Sequence, residues 1–132
     1  MARESLRPSD AEWKVLNVLW RKNPANAREL LLLLREEGWA YTTLKTMLTR
    51  MEAKGFVRTQ MRGNTCFYKP ATLQRAMQRD AVRTLIERVF EGAAGPLLAH
   101  LAEDEQLSAA ERKKLAGWVA DVERKEAKRG ER

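Results

Sequence analysis

The chain has 132 residues, enough for one modest core or for a small domain with an appendage. Its formal charge of +7 is uneven: 13 Lys/Arg stand against 7 Asp/Glu from Met1 to Pro70, but 12 against 11 from Ala71 to Arg132. A single cysteine, Cys66, excludes an intramolecular disulfide and a thiolate metal cluster, and no apolar run of membrane-spanning or signal-peptide length occurs, so a soluble, cytoplasmic protein is expected.

The first helix is expected to begin at Ser9. Ser9-Asp10-Ala11-Glu12 has the spacing of a capping box, and Trp13, Leu16, Val18, Leu19 and Trp20 supply a buried side. Pro24 ends the helix by disfavouring helical geometry at Asn23. Asn26 and Glu29 form a second capping box, opening a helix in which Leu30, Leu31, Leu33 and Leu34 are apolar enough to bury on more than one side. Gly38 stops that helix, and Trp39 is expected to pack across the turn into the next.

Residues Thr42 to Lys54 read TTLKTMLTRMEAK and close with Gly55. On a helix, Leu44, Met47, Leu48 and Met51 form one apolar stripe. The opposite face shows Thr42, Lys45, Thr46 and Thr49, with Thr43 and Arg50 on its flank. An ordinary solvated face mixes Glu with Lys, whereas the one acid in this helix is Glu52. A small, hydroxyl-rich, basic face fits a DNA major groove, where its side chains reach base edges and phosphates. Gly38 to Pro70 holds 6 basic residues and 1 acid, so the excess charge lies around this helix.

After Gly55 the pattern turns β-prone. Phe56 to Gln60 and Thr65 to Lys69 flank a turn, Met61-Arg62-Gly63-Asn64, and Pro70 closes the module. Three helices followed by a two-stranded wing make a winged helix-turn-helix over residues 1–70, with Arg62 and Asn64 at the wing tip as candidate backbone contacts. Residues 71–132 are expected to be helical. Val82, Leu85, Ile86, Val89 and Phe90 form a stripe before a turn at Glu91 to Pro96. A short piece from Leu97 to Glu105 carries Leu97, Leu98 and Leu101. Ser108-x-x-Glu111 then caps a last helix with Leu115, Trp118, Val119 and Val122, and Arg124 to Arg132 is a charged, fraying tail. Helices of this size do not bury all their apolar faces alone, which makes this a homodimerisation domain built on Leu85, Val89, Phe90, Leu97, Leu98, Leu101, Leu115, Trp118 and Val122.

Several residues have plainer readings. Trp13, Trp20, Trp39 and Trp118 lie at helical spacings among apolar neighbours and are expected in cores. Cys66 reads as a small buried hydrophobe, since no second cysteine stands near it. His100 is the sole histidine and reads as a packed residue, not a ligand. Glu103-Asp104-Glu105 reads as a solvated loop. No nucleophile–base set and no Gly-rich phosphate loop occurs, so neither an enzyme nor a cofactor is expected.

The opening SDAEWKVLNVLW, the block WAYTTLKTMLTRMEAKGFV, the wing RGNTCFYKP and the late LLAHLAEDEQLS resemble the penicillinase-repressor (BlaI/MecI/CopY) family of transcriptional regulators, in matching order and spacing over nearly the whole chain. The resemblance implies a winged helix joined to a helical dimerisation domain, homodimers on dyad-symmetric operator DNA, and repression of transcription. It also implies a membrane sensor protease as partner, leading to cleavage in the dimerisation domain. The chain departs from the family in two places. The paired cysteines of the copper-responsive branch are absent near the C-terminus, and His100-Leu101 stands where the β-lactamase branch is cut between Asn and Phe. Two other functions fit the local pattern. One is a protein-interaction adaptor docking an acidic partner; the other is a nucleoid-type binder without sequence preference.

Overall fold

The structure, a computed structural model, describes residues 7–130, apart from the side chains of residues 122, 126, 129 and 130. Helix α1 (Asp10–Arg21) starts where its capping box places it: the Ser9 hydroxyl accepts from the Glu12 amide at 3.2 Å, and Glu12 Oε1 accepts from the Ser9 amide at 2.8 Å. At the other end the Asn23 side-chain amide donates to the Leu19 carbonyl at 2.8 Å, meeting one of the last-turn oxygens that the helix leaves open. Helix α2 (Ala27–Leu33) opens on the second box, with Asn26 and Glu29 bonded in both directions. A 3-10 turn (Arg35–Glu37) follows and ends on Gly38, at φ +71.

Helix α3 (Tyr41–Ala53) is closed by a Schellman motif. The Phe56 amide donates to the Met51 carbonyl and the Gly55 amide to that of Glu52, with Gly55 at φ +84. Three short strands form an antiparallel sheet, β1 (Ala25–Asn26), β2 (Val57–Arg62) and β3 (Thr65–Pro70), in the order β1-β3-β2. The wing is thus a hairpin with a third, two-residue strand added along β3, a piece too short to show a period of two. The strands run on to Arg62 and Thr65, leaving Gly63-Asn64 as the turn. Gly63, at φ +63, alone of the two takes the left-handed conformation, the pattern of a two-residue type II′ hairpin.

The core of this part gathers Val15, Leu16 and Leu19 of α1, Leu30 of α2, Leu44, Leu48 and Met51 of α3, and Phe56, Val57 and Tyr68 beneath the sheet. Each buried aliphatic side chain contributes about 1.5–3 kcal/mol by leaving water. Trp13 and Trp20 are half-buried, their rings 6.0 Å apart, and the Trp20 indole donates to the Thr72 carbonyl at 3.1 Å. Trp39 and Met47 pack at the edge of the core. The expectation that α2 buries more than one side is corrected: Leu32 and Leu33 are 63% and 42% exposed, because so short a helix turns only Leu30 and Leu34 fully inward.

The chain divides into two compact units, Met1–Gln78 and Arg79–Arg132, with the division inside helix α4 (Gln74–Val89). In the second unit, left-handed Glu91 and Gly92 end α4, and α5 (Ala94–Ala102) begins earlier than the sequence suggested. Pro96 lies in its first turn, where the missing amide hydrogen has no intrahelical partner to lose. The Ser108–Glu111 box caps α6 (Ala109–Gly130) as expected. Helix α6 takes in the charged stretch from Arg124 as far as Gly130, and residues 131 and 132 lie outside the described residues. Helices α5 and α6 pack together and bury Leu115. Trp118, expected in a core, is 62% exposed. Among the described residues no helix is long and apolar enough to cross a membrane.

Candidate nucleic-acid interface

Helix α3 turns its polar side to solvent. Thr42, Thr43, Thr46, Thr49 and Arg50 are exposed, with Leu44, Leu48 and Met51 fully buried on the opposite side. The Thr49 hydroxyl donates back to the Lys45 carbonyl at 3.0 Å, leaving its oxygen lone pairs and methyl group outward. The one acid of the helix, Glu52, is drawn aside by β2, accepting from the Thr59 hydroxyl at 2.7 Å.

Two hollows flank this surface. The first, about 480 Å³, lies against the start of α1 and is lined by Ser9, Glu12, Thr42, Thr43, Thr46 and Arg50, together with Met47 and Lys54. At its edge the Glu12 carboxylate is 3% exposed, and Lys54 Nζ donates to its two oxygens at 3.0 and 3.1 Å. The ion pair neutralises the carboxylate and clamps the last residue of the α3 region to the first turn of α1. The end of α3 is thereby tied to α1 by a bond outside its own exposed face.

The second hollow, about 330 Å³, lies on the other side, where α2, α3 and the wing meet. Here the structure places Lys45 away from the middle of the face. It is half-buried, its ammonium donates to the Tyr68 hydroxyl at 3.1 Å, and it sits 5.7 Å from the centre of that ring. The hydrogen bond to Tyr68 raises the Lys45 pKa, so its charge is secure at neutral pH. Burial is the main cause that raises the Tyr68 pKa, which keeps the phenol neutral. At the wing tip Arg62 and Asn64 are exposed, and the Arg62 guanidinium stacks 5.1 Å over the Phe67 ring.

Sequence reasoning missed Arg28 and Tyr41. The Arg28 guanidinium lies 5.1 Å over the Tyr41 ring, and both line the second hollow. No local signal marks the pair, since they sit on different helices and meet only through tertiary packing. It also missed the wing pairing of Arg58 with Lys69, two exposed cations directly opposite across β2 and β3. Like charges so placed repel, which a bound polyanion relieves. Cys66 is half-buried, packed at the core edge.

In the second unit Leu85, Val89, Leu101 and Trp118 are exposed, Phe90, Leu97 and Leu98 are half-buried, and Leu115 is covered within the unit. The Val122 side chain lies outside the described residues. His100 and Leu101 lie in α5, with the His100 ring 5.9 Å from that of Phe90. Among the described residues no group of three or more His, Cys, Asp or Glu side chains gathers where a metal ion would sit.

Comparison with known proteins agrees with the fold. The Penicillinase repressor of Staphylococcus aureus is 24% identical over 126 residues, covering 95% of this chain and all of that protein. The Penicillinase repressor of Bacillus licheniformis is 27% identical, over 78% of this chain and 81% of its own length. Methicillin resistance regulatory protein MecI of Staphylococcus aureus (strain N315) is 26% identical, over 82% of this chain and 89% of that one. A family profile described as Penicillinase repressor matches residues 8–121. The chain belongs to the penicillinase repressor family of transcriptional regulators.

Proposed function

We propose that this protein is a homodimeric repressor that binds a dyad-symmetric operator and blocks transcription. The observation that carries the reading is the α3 surface: four threonines and Arg50 exposed, the helix's only acid drawn aside, and basic side chains on both flanks. Thr42, Thr46 and Thr49 face base edges, offering hydroxyls to donors and acceptors and methyls to thymine. Thr43 and Arg50 stand at the α1 side, where Arg50 pairs with guanine or phosphate. Arg62 and Asn64 contact backbone from the wing. Two copies joined through Leu85, Val89, Leu101 and Trp118 present two such helices to successive major grooves.

The test is selection of bound sequences from a random duplex library at about 150 mM salt, where binding without sequence preference is weak. The expected product is a dyad motif with half-sites about one helical turn apart. Recovery of no motif, or of AT-rich DNA without symmetry, rejects the repressor in favour of an adaptor or a nucleoid-type binder.

Induction by proteolysis is part of the same proposal. His100 and Leu101 lie in the nine-residue helix α5, and a helix so short opens locally at low cost, which a protease needs to reach the bond. The expected sign is a fragment ending at His100 after induction of the host cell. A repressor that stays full length through induction removes this arm of the proposal.

A further inference from the structure

The second hollow takes no part in base reading, and two of its residues, Arg28 and Tyr41, have no role so far. Its wall comes from α2, α3 and the wing turn, through Arg28, Tyr41, Lys45, Asn64 and Thr65, and carries no carboxylate. Two cations reach it from different helices, each steadied by an aromatic ring. The Arg28 guanidinium lies 5.1 Å over Tyr41, and Lys45 is bonded to the Tyr68 hydroxyl at 3.1 Å. Among the described residues neither is paired with an acid. Two positive charges converging on one small concavity repel unless an anion lies between them. Arg28 is free to offer a planar fork and Lys45 a compact point charge, while Asn64 and Thr65 add neutral donors. At about 330 Å³ the hollow is at the small end of ligand sites, and its polar lining does not suit a stacked base.

We propose that this hollow seats one backbone phosphate of the bound duplex, with Arg28 and Lys45 as its two cations. The inference rests on the operator-binding reading and divides the labour on α3. Lys45 is a positioning residue, whereas Thr42, Thr46 and Thr49 read sequence. Because Lys45 is also bonded to Tyr68 of β3, a phosphate held there fixes the wing and the recognition helix on the same strand.

The experiment uses the full-length protein and a set of duplexes, each with one phosphate neutralised as a methylphosphonate. Wild-type protein is expected to lose roughly tenfold in affinity at one position per half-site, the scale of a charge-assisted contact. In Arg28→Gln that penalty shrinks while the others persist, and the log-log salt dependence becomes shallower, by up to about 0.9 when both cations are removed and the contact is lost. The ratio of operator to random-duplex affinity stays unchanged. Lys45→Gln is expected to shrink the same penalty. Arg28 is exposed, so an unchanged thermal midpoint separates loss of binding from loss of fold. Retention of every penalty in Arg28→Gln, or relaxed preference at a base pair, overturns the seat. The two readings fail differently. Absence of a dyad motif rejects the repressor, whereas a map unchanged by Arg28→Gln, with dyad selection intact, rejects only the seat.

Discussion

The Glu12 carboxylate is cut off from water and its charge is met by Lys54 and the Ser9 amide, so each partner of that set has a role the others cannot fill. Lys54→Met strands a buried charge and is expected to lower unfolding free energy by about 1–3 kcal/mol in urea denaturation. It should also weaken DNA binding, because the end of α3 loses its clamp, although Lys54 itself need not touch DNA. Arg50→Ala makes the contrasting case. The side chain is exposed, so stability should hold, while operator affinity falls by about 1–3 kcal/mol if Arg50 reads a base. Equal losses on operator and random duplex would show a phosphate contact only. Glu111 offers a pH test at the same scale. Hydrogen bonds from the Ser108 amide and hydroxyl hold its pKa below the ordinary glutamate range. A depressed folded-state pKa stabilises above the unfolded value, near ~4.3, and the benefit goes as pH falls through the folded one. Amide protection factors in the first turn of α6, corrected for the intrinsic exchange rate, should therefore fall as the pH drops below the ordinary glutamate range, and Glu111→Gln should abolish that loss of protection.

Three helix starts were legible because a capping box writes its geometry into four residues: Ser9 to Glu12, Asn26 to Glu29 and Ser108 to Glu111 are all bonded as their spacing implies, whereas α5, without a side-chain cap, began earlier than its sequence suggested. Ser9→Ala should cost about 1 kcal/mol, seen as a lower thermal midpoint, the usual scale for a lost N-cap. The apolar stripe of α3 was legible for the same reason, since four residues at helical spacing have one way to turn inward. Short elements were not. Strand β1 is two residues, and nothing local marks Ala25 and Asn26 as partners of Tyr68 and Phe67. The leucines of α2 misled because composition says how apolar a helix is but not how many sides find neighbours. Gly63 is the residue the wing turn depends on: Gly63→Ala places a Cβ at positive φ and should cost about 1 kcal/mol, read from chemical denaturation of the full chain.

Across the whole molecule, the excess positive charge falls in the first part of the chain, where Arg28, Lys45, Arg50 and Lys54 line the hollows beside α3, while the second unit is nearly neutral and exposes Leu85, Val89, Leu101 and Trp118. Under the proposed function that division separates a polyanion-facing part from a self-associating part. Trp118→Ser, removing the largest exposed apolar side chain of α6, is expected to shift sedimentation from dimer toward monomer at micromolar concentration and to reduce operator affinity steeply, because a half-site alone binds weakly. An unchanged sedimentation coefficient would place the dimer contact elsewhere. The candidate site was half legible: its threonines and Arg50 follow from one helix, whereas Arg28 and Tyr41 join it only when α2 is folded against α3. The Glu12–Lys54 bond joins positions 42 apart, and its consequence is one of inheritance. A lineage that exchanges Lys54 for an uncharged residue leaves the acid at position 12 buried without its cation, and replacing that acid in turn removes the half of the capping box in which its carboxylate accepts from the Ser9 amide, so positions 12 and 54 should drift as a pair while the exposed threonines of α3 carry no such tie.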